Sequence, residues 1–299
     1  MMKTLLALGV AAALVSAPVA PPQQSDSPRQ TSDSRTRSVY VSVLDNKDAP
    51  VPGLTIADFV VREDGVAREV VKVEPATGPL DVLLLIDDSQ ALTPALQPMR
   101  EGINKFIDKL QGHGTLGLMT YGERPTMVVR PTTDVAALKR AAGRVFARPG
   151  AGTYLLEAIQ EASRDLAKRE SPRGAIVIVN MEGAEFSNLH YDNVLKDLDA
   201  SRATLHVLAI GLPNTSTSDE WRNLNMVVSE GTKRTGGRRD QVLAESGIAE
   251  ALPRVADDLL AQYLVSYGHP DRLILAEKLQ VSVNRPGLTV HAPSKVAPR

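Results

Sequence analysis

Four short apolar runs constrain this chain more than any other feature: Asp81–Ile86 (DVLLLI), Leu116–Tyr121 (LGLMTY), Ala175–Val179 (AIVIV) and Thr204–Ile210 (TLHVLAI). Several are continuous in Val, Leu and Ile with no polar alternation. A strand of that texture must be covered on both faces, as in a parallel sheet. Helical patterns lie between the runs. In TYLLEAIQEASRDLAKR, Leu155, Leu156, Ile159, Ala162 and Leu166 fall on one face. ALPRVADDLLAQYLVSY predicts a further helix running into the end of the domain. The alternation predicts an α/β fold: a doubly wound, mostly parallel sheet flanked by helices, spanning residues 79–268.

The flanks read differently. SVYVSVLD alternates with period two, placing Val39, Val41 and Val43 on one face. NKDAPVPGL is turn chemistry, and DFVVREDGVAREVVKVEP reads as two strand-like pieces around an Asp64-Gly65 hairpin turn. Residues 37–78 thus form a small β module, too short to bury much alone. EKLQVSVNRPGLTVHAP alternates through Leu279, Val281 and Val283, giving one strand, a turn and a second short strand. Residues 269–299 are expected to pair with the N-terminal module and bring the chain ends together.

The first twenty residues, MMKTLLALGVAAALVSAPVA, have Lys3, an apolar stretch and then small residues at Ser16, Ala17 and Ala20. This is the layout of a secretory signal. Residues 21–36, rich in Pro, Ser and Gln, predict a disordered linker. The expected location is periplasmic or extracellular, with no transmembrane segment in the mature chain. There is no cysteine, so neither disulfides nor a Cys-linked lipid anchor is available, and stability must come from the core.

Several function classes are excluded. Lys and Arg number 34 against 35 Asp and Glu, which gives no general pull toward nucleic acid, and aromatics at only 4% argue against stacking platforms for bases. GHGTLG matches a dinucleotide fingerprint in letters only, because a helix precedes it and a strand follows. GTKRTGGRR lacks the Lys-Ser/Thr ending of a phosphate loop and reads as a solvated loop. The five histidines show no zinc spacing, and His206 reads as a core residue. No nucleophile elbow or His-Glu-x-x-His pair occurs. Trp221, the single tryptophan, sits in a polar insertion, NTSTSDEWRNLN, that it is expected to anchor.

Ligands of open α/β sheets bind outside the carboxyl ends of the strands. At such an end stands LLLIDDSQALTP, with Asp87, Asp88 and Ser89. Asp87 and Ser89 offer hard oxygens suited to Mg2+ or Mn2+. Equally, Asp88 or Ser89 could cap the next helix. In RPGAGTYLLEAI, Thr153 offers a hydroxyl at a helix N-terminus, or another N-cap. A third loop, NMEG, follows the AIVIV strand.

In this order the three segments resemble a von Willebrand factor A-type domain. The metal-ion-dependent adhesion site of that family reads D-x-S-x-S, then T, then a third loop of T/S-D-G. The first motif falls on Asp87, Ser89 and Ala91, the threonine on Thr153, and the third loop on Asn180, Met181, Glu182 and Gly183. The likeness runs over roughly residues 37–295 and extends to exported bacterial proteins called VWFA-related. It implies a secreted, non-enzymatic protein-binding module with a degenerate site. Mg2+ or Mn2+ would be held by Asp87, Ser89, Thr153 and Glu182, with Asp88 and Asn180 as partner contacts. The partner would be another protein, engaging through an acidic side chain. Ala91 removes one hydroxyl from that set, and Glu182 must stand in for a shorter Asp. The alternative implied is a structural or scaffolding protein with a vestigial, metal-free site.

Overall fold

The computed structural model describes residues 36–269 and 276–296. The expected signal, and the expected linker up to its last residue, lie outside the described residues. In chain order the strands and helices begin with Thr36–Leu44 (β1), Phe59–Glu63 (β2), Val66–Arg68 (β3), Val70–Pro75 (β4) and Leu80–Ile86 (β5). Leu96–Leu110 (α1), Gly114–Thr120 (β6), Thr126–Thr132 (β7), Val135–Gly143 (α2), Leu155–Lys168 (α3) and Gly174–Met181 (β8) follow. Then come Tyr191–Ser201 (α4), Thr204–Ile210 (β9), Asp219–Thr235 (α5), Arg239–Val242 (β10) and Ile248–Leu260 (α6). Tyr263–Gly268 (β11), Leu279–Val283 (β12) and Thr289–His291 (β13) complete the described elements.

The central sheet has the order β10-β9-β8-β5-β6-β7. All its pairings are parallel except β6 with β7. The apolar runs lie at its centre, and every residue of β8 is buried. Alternate side chains of β5 serve opposite layers. Val82, Leu84 and Ile86 pack with Met99, Ile103 and Phe106 of α1 and Leu252 and Val255 of α6. Leu83 and Leu85 pack with Leu155 and Ile159 of α3, Leu195 of α4 and Val227 of α5. Each such Leu contributes about 1.5–3 kcal/mol by leaving water. The sheet is therefore covered on both faces and doubly wound. From β5 the chain moves first to β6 and then back to β8, so strand order reverses between β5 and β8.

The structure differs from the sequence expectations in four places. β7 and β10 are additional strands; β7 is an antiparallel edge with Pro131 near its end, where a missing N–H costs no ladder bond. The last predicted helix stops at Leu260, and QYLVSY turns into β11, because Tyr263, Val265 and Tyr267 alternate inward and pair with β1 and β4. Trp221 stands in the first turn of α5, not in a loop. Ser218 Oγ accepts from its N–H at 3.2 Å, and its ring is buried beside Leu224. The basic run is not wholly solvated either: Arg238 donates to Asp258 Oδ2 at 2.9 Å and Asp240 Oδ1 at 2.7 Å, where β10 meets α6.

Two smaller sheets use both ends of the described chain. One has the order β13-β1-β11-β4 and the other β12-β2-β3. Val43 faces Val290, Val39 faces Val265, and Val61 faces Val281 across the ladders. The β2–β3 hairpin turns on Asp64 and Gly65, with φ of 47° and 81°. Two successive positive φ values match the right-handed twist of the flanking strands. After Glu69 the chain leaves this hairpin, and β4 joins β11 in the other sheet.

Arg173 rivets the small sheets to the large one. Its guanidinium is buried and donates to the carbonyls of Ala76 (2.7 Å), Gly78 (2.9 Å) and Leu259. It also reaches Gln262 Oε1 at 3.3 Å and lies 5.5 Å from the centre of the Tyr40 ring. No helix among the described residues is long and apolar enough to cross a membrane.

Candidate functional site

The reversal between β5 and β8 places four loops at the carboxyl end of the sheet. The first begins where β5 ends. Asp87 is fully buried there: its Oδ1 accepts from Ser89 N at 2.8 Å and its Oδ2 from Met181 N at 3.0 Å. The carboxylate thus ties the end of β5 to the end of β8. Burial pushes it up to about 6, against the hydrogen bonds from Ser89 and Met181 that favour its ionised form. Asp88 points the other way. It accepts from Gly122 N at 2.6 Å and from Arg148 Nε at 2.7 Å. Hydrogen bonding to Asp88 raises the Arg148 guanidinium further above its usual range.

Ser89 Oγ accepts from Ala91 N at 3.3 Å, capping the short 3-10 helix Gln90–Ala95. The capping alternative therefore holds for Ser89 and not for Asp88. The neighbouring loop is drawn in by Gln90, whose N–H donates to Ala151 O at 3.1 Å while Oε1 accepts from Gly150 N at 2.7 Å.

Thr153 does not cap α3. Its hydroxyl donates to Glu185 Oε2 (2.8 Å) or Ala184 O (3.1 Å). Its main chain is stitched to the same loop: Thr153 N to Ala184 O and Phe186 N to Thr153 O, both at 2.8 Å. That loop returns the favour to the helix, since Ser187 Oγ accepts from Leu156 N at 3.1 Å in the first turn of α3. Glu185 Oε1 accepts from Ser187 N at 2.9 Å. Burial pushes the Glu185 carboxyl up to about 7.

The carboxylate beside Thr153 is Glu185, which the sequence reading did not single out, whereas Glu182, expected to join Thr153, stands apart from it. Glu182 is half-buried, with Oε2 accepting from Asn214 N at 3.3 Å. Its Cβ packs toward Gly211, at the ends of β8 and β9. Burial raises its carboxyl above the usual range. It is not among the partners of Thr153. The chain bends at Glu182 and passes Gly183, seated against the Ala91 methyl, so that the carboxylate arriving at Thr153 comes three residues later. Asp88 and Asn180, expected to face a partner, are both buried, and Asn180 Oδ1 accepts from the Tyr121 hydroxyl at 3.2 Å.

A divalent Mg2+ or Mn2+ needs several hard oxygens converging with enough negative charge to neutralise it. This arrangement does not fit that need. Both Asp87 oxygens already hold main-chain N–H groups, the Thr153 proton serves Glu185, Asp88 is neutralised by Arg148, Ala91 offers no donor and Glu182 is turned away.

Around this buried knot four large apolar side chains are exposed among polar loop residues such as Gln90, Glu123 and Arg124. Phe146 and Phe186 are each 52% exposed, Leu243 is 67% and Leu212 is 76%. They stand on the loops that follow α2, β8, β10 and β9. Arg148 lies 5.2 Å from the centre of the Phe146 ring. Phe186 leans on Tyr154 at 6.3 Å and lies over Gly152, where an added Cβ would come 2.1 Å from its ring.

Sheet order and helices on both faces define a doubly wound α/β domain with its strand reversal between β5 and β8. The family model of the von Willebrand factor type A domain matches residues 82–182, so over that stretch the resemblance read from the sequence holds. Among solved structures, the chain is similar to a von Willebrand factor type A protein from Catenulispora acidiphila. Identity is 13% and the TM-score 0.49, over 88% of this chain and 74% of that one. It is also similar to an aerotolerance-related membrane protein from Bacteroides fragilis, at 18% identity and TM-score 0.45, over 60% and 99% of the two chains. The von Willebrand factor domain of a type V pilus tip protein from Porphyromonas gingivalis matches at 11% identity and TM-score 0.46, over 60% and 95%. No curated protein matches the chain.

Proposed function

We propose that this chain is an exported, non-enzymatic module that binds another protein through the loop end of its central sheet. Domains of this type commonly mediate protein–protein contacts. The observation that carries the reading here is the contrast between rim and centre. Phe146, Phe186, Leu212 and Leu243 project outward, while the polar groups between them are buried and bonded to one another. Large exposed apolar side chains gathered on one end mark an interaction surface. A catalytic centre would need an accessible base or nucleophile, and Asp87, Asp88, Ser89 and Thr153 are all buried and occupied.

Photo-crosslinking separates this reading from a scaffolding role of the small sheets. A benzophenone amino acid would replace Phe186 or Leu212 at the rim, or the exposed Val66 or Val71 of the β module. A partner adduct from the rim, absent from the β module, is expected. Adducts confined to Val66 and Val71 would refute the proposed face and favour scaffolding.

A further inference from the structure

We infer that the loop end is closed by an internal carboxylate, Glu185, and that binding at this face proceeds without a divalent cation. The inference rests on the reading above only where it concerns a partner; closure and cation independence concern the chain alone.

Three observations support it. First, the hydroxyl of Thr153 already has a carboxylate: Glu185 Oε2 lies 2.8 Å away, within the same chain. An acidic side chain arriving from a partner would find that threonine taken. Second, the strap carrying Glu185 is not a stray loop end. Two main-chain bonds fasten Ala184 and Phe186 to Thr153, and Ser187 serves the first turn of α3, so lifting the strap would also unsatisfy a helix terminus. Third, the charges beside it are settled internally. Arg148 is the cation for Asp88, at 2.7 Å, and two main-chain N–H groups hold Asp87. A metal entering here would have to compete with Arg148 for Asp88 and would find no hydroxyl at Ala91 to receive it.

Glu185 thereby acts as a positioning residue. By holding the strap on Thr153 it seats the Phe186 ring over Gly152, on the outer surface. The rim is prearranged by a polar knot beneath it, as binding surfaces on loops require.

The test uses the full chain, with Mn2+ and Mg2+ alone as probes. Thermal unfolding would be followed in EDTA, MgCl2 and MnCl2, and the free Mn2+ paramagnetic signal recorded on titration. The wild type is expected to show one midpoint in all three buffers. Any loss of Mn2+ signal should be unchanged in Asp87→Ala. Glu185→Ala should lower the midpoint by several degrees, equally in each buffer. A cation-induced rise in the wild-type midpoint, or stoichiometric Mn2+ uptake, that disappears in Asp87→Ala would overturn the inference. The wild-type titration decides even if Glu185→Ala does not fold. A rim adduct formed equally in EDTA agrees with the inference, and one abolished by EDTA contradicts it. Absence of any adduct counts against the protein-binding reading, while the titration still decides closure.

Discussion

Replacing Arg173 by Met should be among the most damaging single changes outside the apolar core. The guanidinium is buried, and burial alone lowers its proton affinity. It nevertheless persists because its donors meet the carbonyls of Ala76, Gly78 and Leu259 and the amide oxygen of Gln262. Met retains much of the volume and contact with Tyr40 but strands three main-chain carbonyls, each at a cost of about 1–3 kcal/mol. Relief of the desolvation of Arg173 itself offsets part of that sum, leaving a net loss of about 3 kcal/mol. For a domain of this size each kcal/mol shifts the midpoint by about 2–4 °C, so thermal unfolding followed by circular dichroism should show a drop near 10 °C. Arg164→Ala is the control. Its ion pair with Asp197, at 2.9 Å, lies on the surface and should contribute less than about 1 kcal/mol. A shift in Arg173→Met no larger than the control's would refute the account of Arg173 as the rivet between the sheets.

Three further outcomes follow from buried groups. Burial raises Glu185 from 4.5 to about 7, so the folded chain holds a proton that the unfolded chain releases, and stability should fall as pH rises across that window. Denaturant midpoints for Glu185→Gln should decline less than the wild type's between those pH values; equal slopes would argue against a buried, raised carboxylate. His206 is pushed down from 6.5 to about 3, and neither ring nitrogen has a hydrogen-bond partner. A depressed base loses stability as pH falls through that window, so His206→Leu should flatten the acid limb and gain about 1 kcal/mol at neutral pH. Gly152→Ala should push Phe186 off its seat, since the new methyl would stand 2.1 Å from the ring; limited chymotrypsin digestion should then cut faster after Phe186, and an unchanged rate would contradict the packing.

The legible parts of this chain are those where a periodic pattern and burial coincide. β5, β8 and β9 announce themselves because strands covered on both faces tolerate few polar residues, and α3 because five apolar residues repeat on one side. β7 and β10 escaped notice as edge strands: one side of each is exposed, so TMVVRPT and RDQV carry mixed polarity. QYLVSY was misread because a short apolar run after a helix fits either period until its partners, β1 and β4, are known. The site divides in the same way. Asp87, Ser89 and Thr153 follow from their places at strand and helix ends. Glu185 does not, because the contact between Thr153 and Glu185 depends on how a non-periodic loop bends at Glu182. Two acids near one glycine, in MEGAEF, were the available signal, and chemistry alone could not choose between them.

Because β1 lies between β11 and β13, the first strand cannot be completed until nearly the last has been made. Ser38 meets Ser266 across 228 residues of chain, and Asp58 meets Arg285 across 227. Closing so long a loop costs little extra free energy, since each doubling adds only about 0.6 kcal/mol, but it costs time, because non-local pairings form slowly. During synthesis from the N-terminus, Thr36–Leu44 therefore waits as an open strand with both edges unpaired. In that interval it is the segment most exposed to pairing with the wrong chain.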